Sequence, residues 1–368
     1  MSNEPMHLPE EPAQERELRL VALRREAESR GKVKVRGIRP EGAPFPKASP
    51  ETGYYGIPLL KPPQWTHQIP LYFFVGGAAG AAAVVSAIGH YVGADRKLVR
   101  DARYIAAAGA VISPALLIAD LGKPQRFLGM MRVFKPQSPM SIGAWTLLGF
   151  GSAVAAATFA GLMRERYGPS FPMAVVENAA EAAAIPLGLG LATYTGVLIG
   201  ATAIPVWNQN VGDLPLHFAA SGLSAAVGML ELMGHSKNRA LQTLGLGAAL
   251  FEVWEGIRIE GRTHTHLDPL KHGTSGAITR VGGALSGPIP TALRLASMFA
   301  GRERGSSLRR WAGASAVAGS LLTRIAWLRA GIASAQDWRQ PLEVQPYPHD
   351  KVEPTDKSRA RQQTPASS

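Results

Sequence analysis

Residues Ile112 to Trp145 read ISPALLIADLGKPQRFLGMMRVFKPQSPMSIGAW, and this stretch decides the fold. An uncharged run ends at Asp120, a basic and proline-containing loop follows, and a second uncharged run begins at Ser138. The pattern predicts two membrane helices joined by a polar connection. A carboxylate at the mouth of an apolar helix is costly to keep, which makes Asp120 a candidate functional residue. Alternatively, Asp120 marks where the helix leaves the lipid, and Lys123 neutralises it.

The distribution of residues along the chain is more informative than the average composition. The 368 residues, 46% of them hydrophobic, would suit a soluble protein if only the mean were considered. Uncharged runs of about 20 residues, however, match a hydrocarbon core of about 30 Å. We predict a polar, largely irregular amino-terminal segment (1–64), a transmembrane helical bundle (65–335) and a disordered tail (336–368).

Composition also excludes several kinds of site. The chain has no cysteine, which rules out disulfides, thiolate zinc sites and iron–sulfur clusters held by this chain. The net charge of +12 comes from basic residues in short loops beside apolar runs, so it indicates lipid headgroups rather than nucleic acid. The loop RTHTHLDPLKH, Arg262 to His272, resembles a metal site, but HxH in a polar loop is usually solvated, and we expect no metal.

The apolar runs predict an all-α, polytopic integral membrane bundle of about eight transmembrane helices, a multi-pass membrane protein. The predicted spans are Ile69 to His90, Tyr104 to Ala119, Met140 to Met163, a span between Glu181 and Asp213, Leu214 to Met233, Ala240 to Glu260, Ile278 to Ala300 and Trp311 to Ala330. The last two carry arginine and could be interfacial or tilted. The distribution of Lys and Arg mildly favours an amino terminus outside the cytoplasm.

Two further sets of residues stand out inside the spans. Tyr194 is a lone phenol in the charge-free fourth span, and its hydroxyl needs a partner, which can be a ligand or a backbone carbonyl. Glu252, Glu255 and Arg258 follow at spacings of three residues, which places them on one face of the sixth helix. They would suit a proton path if this part of the helix lies in the membrane; alternatively, it is already in water.

Several ordered motifs point to a family. The run IPLYFFVGGAAG, then DLGKPQRF, SPMSIGAW and YTGVLIG with PVWN, resembles the NrfD/polysulfide reductase membrane-subunit family over Pro63 to Glu260. The resemblance implies an inner-membrane anchor that binds a quinone, menaquinone or ubiquinone. It also implies electron exchange with a ferredoxin-like iron–sulfur subunit, with a molybdopterin catalytic subunit beyond it. Polysulfide, nitrite and formate couples are all served by such proteins, so the partner's substrate and the direction of electron flow stay open.

The resemblance also assigns residues to the quinone site. It places the headgroup near the start of the first helix, and the residues there are Trp65, His67, Gln68 and Tyr72. Tyr72 stands where a headgroup-binding histidine is expected, and His67 lies about one turn earlier. Tyr194 matches the tyrosine that hydrogen-bonds a quinone carbonyl. Asp120 matches an acid near the headgroup or its proton route.

The chemistry of a quinone agrees with this assignment. Its reduction moves two electrons and two protons, so the site needs hydrogen-bond donors to both carbonyls and a carboxylate or histidine that passes protons. The chain shows no redox centre of its own, so electrons must come from a partner. It is then a non-catalytic or quinone-site subunit of an oxidoreductase complex, and Asp120, Glu252, Glu255 and Arg258 are its candidate proton-handling residues.

Three rival interpretations remain. Haem binding would need histidines on facing helices, but four histidines fall at predicted helix ends, and we expect no haem. These are His67, His90, His217 and His235. A membrane transporter or proton-conducting channel without a redox role would also carry intramembrane acids. In a purely structural anchor, Tyr194 and Asp120 would be replaceable without loss of turnover.

Overall fold

The computed structural model of the protein describes residues 60–121, 124–337 and 339–343, together with residues 18, 21–22 and 25–26, which are helical and exposed. The other residues of the predicted polar amino-terminal segment, Lys123, and the predicted tail from residue 344 onwards lie outside the described residues.

Helices are the regular secondary structure of the described residues. They are α1 (Gln68–Tyr91), α2 (Arg96–Leu121), α3 (Pro124–Met130), α4 (Pro139–Tyr167), α5 (Phe171–Gly200), α6 (Pro205–Asn208), α7 (Leu214–Leu230), α8 (Arg239–Gly261), α9 (Asp268–Lys271), α10 (Gly273–Ser286), α11 (Pro288–Phe299), α12 (Arg302–Gln336) and α13 (Gln340–Glu343). A π-helical turn, Glu231–His235, extends α7, and a 3-10 turn, Thr265–Leu267, precedes α9.

Five helices of the described chain are long and apolar enough to cross a membrane: α1, α2, α4, α5, and α7 with its π-helical turn. This confirms the predicted all-α membrane bundle, whereas the predicted count of about eight spans is not confirmed. The predicted seventh span is divided at Gly287, where α10 ends and α11 begins with Pro288. With 14 and 12 residues, these helices measure about 21 and 18 Å, so neither crosses a core of about 30 Å alone.

The helices pack as two connected groups. The first is a ring in which α1 packs on α2 and α5, and α4 packs on both of the same helices. The second consists of α7, α8, α10, α11 and α12, and α7 joins it to α1 and α5. Glycines allow close approach at these contacts: a Cβ on Gly80 would lie 2.5 Å from the carbonyl oxygen of Gly188, and one on Gly222 would lie 2.8 Å from that of Gly77.

The long helices alternate in direction, which gives the bundle two ends. One, here called the Trp65 end, holds the start of α1, the end of α2 and the starts of α4 and α7. Contacts between Thr66 and Asp120, and between Asp213 and Arg258, define it. The other, the His90 end, holds the end of α1 and the starts of α2 and α5.

Two helices begin earlier than the uncharged runs predict. The basic stretch before Tyr104 forms the first turns of α2, and Arg103 in it is buried, donating to Glu177 at 2.8 Å and Glu181 at 2.9 Å. These two acids lie within α5, ahead of the charge-free run. Charged residues are tolerated inside the helices because opposite charges pair across them.

Candidate functional site

The structure brings Asp120 to the start of α1. Thr66 donates to its Oδ1 atom from both the backbone N–H, at 3.2 Å, and the side-chain hydroxyl, at 2.6 Å. The same hydroxyl contacts the side chain of Gln68. Gln68 is half-buried, and the neighbouring His67 is exposed. Asp120 and Gln68 therefore both contact Thr66 at the Trp65 end, and His67 lies between Thr66 and Gln68 in the chain.

Tyr72 lies one turn deeper in α1 and is buried, with 2% of its surface exposed. A Cβ on Gly76 would lie 3.6 Å from both the Tyr72 ring and the Ser113 hydroxyl, so these two groups share a small space between α1 and α2. The Ser113 hydroxyl has no hydrogen-bond partner among the described residues.

Tyr194 connects α5 to α4. Its hydroxyl donates to the carbonyl oxygen of Pro139 at 2.7 Å, and its ring packs so tightly on Gly143 that a Cβ there would fall inside the ring. Of the two partners that the sequence left open, this structure has the backbone carbonyl. The contact fixes the wall of the site where α4 begins.

An aromatic cluster closes the same end of the bundle. Trp65 stacks on Trp207 with 5.4 Å between ring centroids and 16° between ring planes, and Phe73 packs edge-on against Trp65 at 6.3 Å. The buried Trp207 indole donates to the carbonyl oxygen of Trp327 at 2.8 Å. Sequence reasoning missed Trp207 as part of the site, although its motif PVWN supplied the signal: a proline that starts the short α6, followed by a tryptophan.

A buried charged cluster lies deeper, on helices α7, α8, α10 and α12 of the second group. Arg324 of α12 is fully buried, lies 4.0 Å above the Phe218 ring and donates to the Phe218 carbonyl oxygen at 2.7 Å. Glu252 accepts from Ser286 at 3.1 Å, and Arg324 interacts with it electrostatically. Glu252 Oε1 and both ring nitrogens of His217 have no hydrogen-bond partner among the described residues. Leaving a buried polar group without a hydrogen-bond partner costs about 1–3 kcal/mol of stability. Further polar partners would therefore be favourable at this cluster.

Glu255 and Arg258, which the sequence places on the same face of α8 as Glu252, connect this cluster to the Trp65 end. Glu255, 3% exposed, accepts two hydrogen bonds from Arg258 at 2.7 and 2.9 Å, and Arg258 pairs with Asp213 at 2.8 Å. Partial burial raises the pKa of Asp213, but hydrogen bonds from Arg258 and Arg262 outweigh this effect, and the pKa is lowered overall. Glu252 and Glu255 thus lie inside the bundle rather than in water.

The histidines that were considered for haem or metal binding lie in different parts of the molecule. His264 and His266 stack at 5.2 Å, and partial burial, together with His264, lowers the pKa of His266. At the His90 end, His90 hydrogen-bonds Asn178 at 2.7 Å. No group of three possible metal ligands comes together in the described residues.

These features define a polytopic, all-α membrane protein with polar and aromatic side chains gathered at one end of its helices. The sequence profile of the family described as "Polysulphide reductase, NrfD" matches residues 60–243, half of the chain. The chain therefore belongs to the NrfD family, which confirms the resemblance, and it is a multi-pass membrane subunit of the polysulfide reductase type. The match includes Tyr72, Asp120 and Tyr194 and stops before Glu252. A comparison with curated proteins found no match.

Proposed function

We propose that this chain is the quinone- or quinol-binding subunit of a multi-subunit oxidoreductase in the inner membrane. It exchanges electrons between the quinone pool and an iron–sulfur partner subunit, with a molybdopterin catalytic subunit beyond it. The observation that carries the proposal is the position of Asp120, which two hydrogen bonds from Thr66 hold at the start of α1 in a chain of the NrfD family.

The residues at this end fit a quinone headgroup. The Gln68 amide, the His67 ring and the Tyr72 hydroxyl are hydrogen-bond donors for its carbonyl oxygens. A bound quinone supplies the capacity to carry two electrons and two protons between partner and membrane. Both hydrogen bonds from Thr66 go to Oδ1 of Asp120, so Oδ2 is the atom that carries a proton to or from the site.

Tyr194 supports the site in a second way. Its hydroxyl is engaged with Pro139, so donation to a ligand requires the O–H to exchange that carbonyl for a ligand oxygen. A rotation about the Cζ–O bond achieves this without moving the ring off Gly143. The ring thus positions the wall of the site, while the hydroxyl can serve either partner.

The buried acids supply a route for protons. Glu255 and Arg258 are joined to Asp213 at the Trp65 end, and Glu252 lies farther into the bundle beside Ser286. This same chain of charged groups favours the second candidate function, a proton-conducting channel without a redox role. In Glu252→Gln, quinone content is expected to be unchanged and turnover lowered if the acid serves the redox reaction.

The test uses the complex purified from its native membrane in mild detergent. Bound quinone, the presence of an iron–sulfur partner and quinone-linked turnover are measured for Asp120→Asn and Tyr194→Phe. Matched controls at the His90 end are Asp95→Asn, which keeps an acceptor for the Lys97 N–H, and Tyr167→Phe, an exposed phenol.

Both site variants should fold, because neither leaves a large cavity, and should lower turnover by about 10²–10⁴-fold, the usual contribution of general acid–base groups. The controls should match the wild-type chain. Unchanged turnover in Asp120→Asn and Tyr194→Phe would exclude this site. A chain that carries neither quinone nor an iron–sulfur partner would favour the channel.

A further inference from the structure

An apolar groove of about 580 Å³ lies along the outer seam between α2 and α4. Its lining includes Ala107, Ala110 and Pro114 of α2, whose spacings of three and four residues place them on one face of the helix. On α4 the groove extends from Leu147 to Leu162, about 22 Å at 1.5 Å per residue. It is therefore long enough for an acyl chain that crosses one leaflet, about 15 Å of hydrocarbon.

A polar pocket of about 590 Å³ follows the groove at the His90 end, between the same two helices, with His90 of α1 and Glu177 of α5 also in its lining. Arg103 of this pocket lies one turn before Ala107 of the groove on α2. On α4, Gly161 of the pocket is followed directly by Leu162 of the groove. The seam thus changes from apolar to basic within about one turn of each helix.

The cations of the pocket are only partly neutralised. Four arginines and two glutamates line the pocket: Arg103 pairs with Glu177 and with Glu181, and Arg164 also pairs with Glu177. Arg100 is different, because its nearest paired carboxylate oxygen, on Asp101, is 3.8 Å away and too far for a hydrogen bond. Its buried Nε atom has no hydrogen-bond partner among the described residues, and the same holds for Nε of Arg164. The lining as a whole has more cationic than anionic side chains, which favours an anion in the pocket.

Exposed aromatic residues surround the pocket. Tyr91, Tyr167 and Phe171 are 51%, 78% and 82% exposed at the ends of α1 and α4 and the start of α5. Aromatic rings of this kind collect where the hydrocarbon core meets the headgroups. The basic pocket therefore lies at headgroup depth, and the groove lies in the acyl region.

We infer that this seam binds one anionic phospholipid, with its phosphate in the pocket beside Arg96 and Arg100 and one acyl chain in the groove. Only an amphipathic anion uses both halves of the seam. An apolar helix from a partner would fill the groove but leave the excess cations of the pocket without a counter-ion, and an uncharged isoprenoid chain would do the same. The inference does not rest on the proposed quinone site: the pocket lies at the opposite end of the bundle, and the groove extends from there towards Phe127 at the Trp65 end.

The first arm of the test removes the charge. The complex in mild detergent is analysed by native mass spectrometry and titrated with phosphatidylglycerol and with phosphatidylcholine of the same acyl chains. Each cation near a membrane surface contributes about fivefold to affinity for anionic lipid, so Arg96→Gln with Arg100→Gln should weaken phosphatidylglycerol binding by about 25-fold. The matched control, Lys237→Gln with Arg239→Gln, removes two exposed cations at the same end and should bind as the wild-type chain does.

The second arm fills the groove. A Cβ on Gly151 meets no other described atom within 4 Å, so Gly151→Leu should fold and place its side chain in the groove. Retention of both phospholipids should be lost. Gly247→Leu, at an equally open and exposed glycine of α8, should retain them.

Four results would overturn the inference. The first is equal lipid retention in the wild-type chain and both seam variants. The second is an equal response to inorganic phosphate, which would indicate a free-anion site. The third is loss of a protein subunit instead of lipid in Gly151→Leu, which would indicate helix docking. The fourth is loss of quinone in that variant, which would assign the groove to an isoprenoid chain.

Discussion

Gly143 offers the sharpest test of how Tyr194 is held. A Cβ at this position would fall inside the Tyr194 ring, which is buried between α4 and α5 with its hydroxyl on Pro139. Gly143→Ala must therefore separate the two helices or expel the ring. Overpacking costs about 1–3 kcal/mol and loss of the hydrogen bond about 1 kcal/mol, so the free energy of unfolding should fall by about 2–4 kcal/mol.

The assay is thermal unfolding of the purified chain in mild detergent, arranged as a double-mutant cycle. Tyr194→Ala leaves a cavity and is itself expected to cost about 3–5 kcal/mol. On that background Gly143→Ala should cost close to nothing, because its methyl group enters the vacated space, and the coupling should be about 2–4 kcal/mol. On a Tyr194→Phe background the ring remains, so most of the cost should remain as well.

Gly151→Ala is the matched control in the same helix. Its Cβ meets open space, so it should stabilise α4 by about 0.5–1 kcal/mol through helix propensity. Gly143→Ala should also lower quinone-linked turnover, as is expected for Tyr194→Phe. The reasoning fails if Gly143→Ala unfolds at the wild-type temperature, or if removal of the Tyr194 ring does not relieve its cost.

Two further predictions concern charges. Glu231 and Arg294 form a buried pair with contacts of 2.5 and 2.9 Å, so Glu231→Gln alone should cost about 3–5 kcal/mol in thermal unfolding, and adding Arg294→Met should recover most of it. Arg258 and Arg262 lower the pKa of Asp213 in the folded chain. The Asp213 carboxylate therefore stabilises the fold above the unfolded pKa of about 3.9, and this stabilisation is lost as the pH falls through the folded pKa. Asp213→Asn should flatten the acid side of a melting-temperature profile, and an unchanged profile would contradict this.

The uncharged runs predicted some helices to within a few residues. The first predicted span, Ile69 to His90, corresponds to α1, and the fifth, which starts at Leu214, begins where α7 begins. Charges outside these runs mark where the helices leave the hydrocarbon. The uncharged runs did not predict where α2 and α5 begin, because Arg103 and Glu177 neutralise each other inside the bundle. These two residues lie 74 positions apart, and no local sequence pattern indicates that they pair.

In the candidate site, too, sequence spacing predicted features within one helix but not contacts between helices. Spacing alone placed Glu252, Glu255 and Arg258 on one face of α8, since the helical period is a local property. The contact between Thr66 and Asp120 spans 54 residues and depends on how α1 and α2 pack. Before the fold was known, only the family resemblance connected the two regions.

The buried arginine of α12 has a consequence for how this protein is made. α12 is not among the five helices of the described chain that are apolar enough to cross a membrane, and an arginine that meets lipid alone costs about 2.5–3.5 kcal/mol. Arg324 donates to the carbonyl oxygen of Phe218 in α7 and packs on the Phe218 ring, and it interacts electrostatically with Glu252 of α8. Both helices precede α12 in the chain, so α12 packs against partners that are synthesised before it, and its place in the bundle depends on theirs.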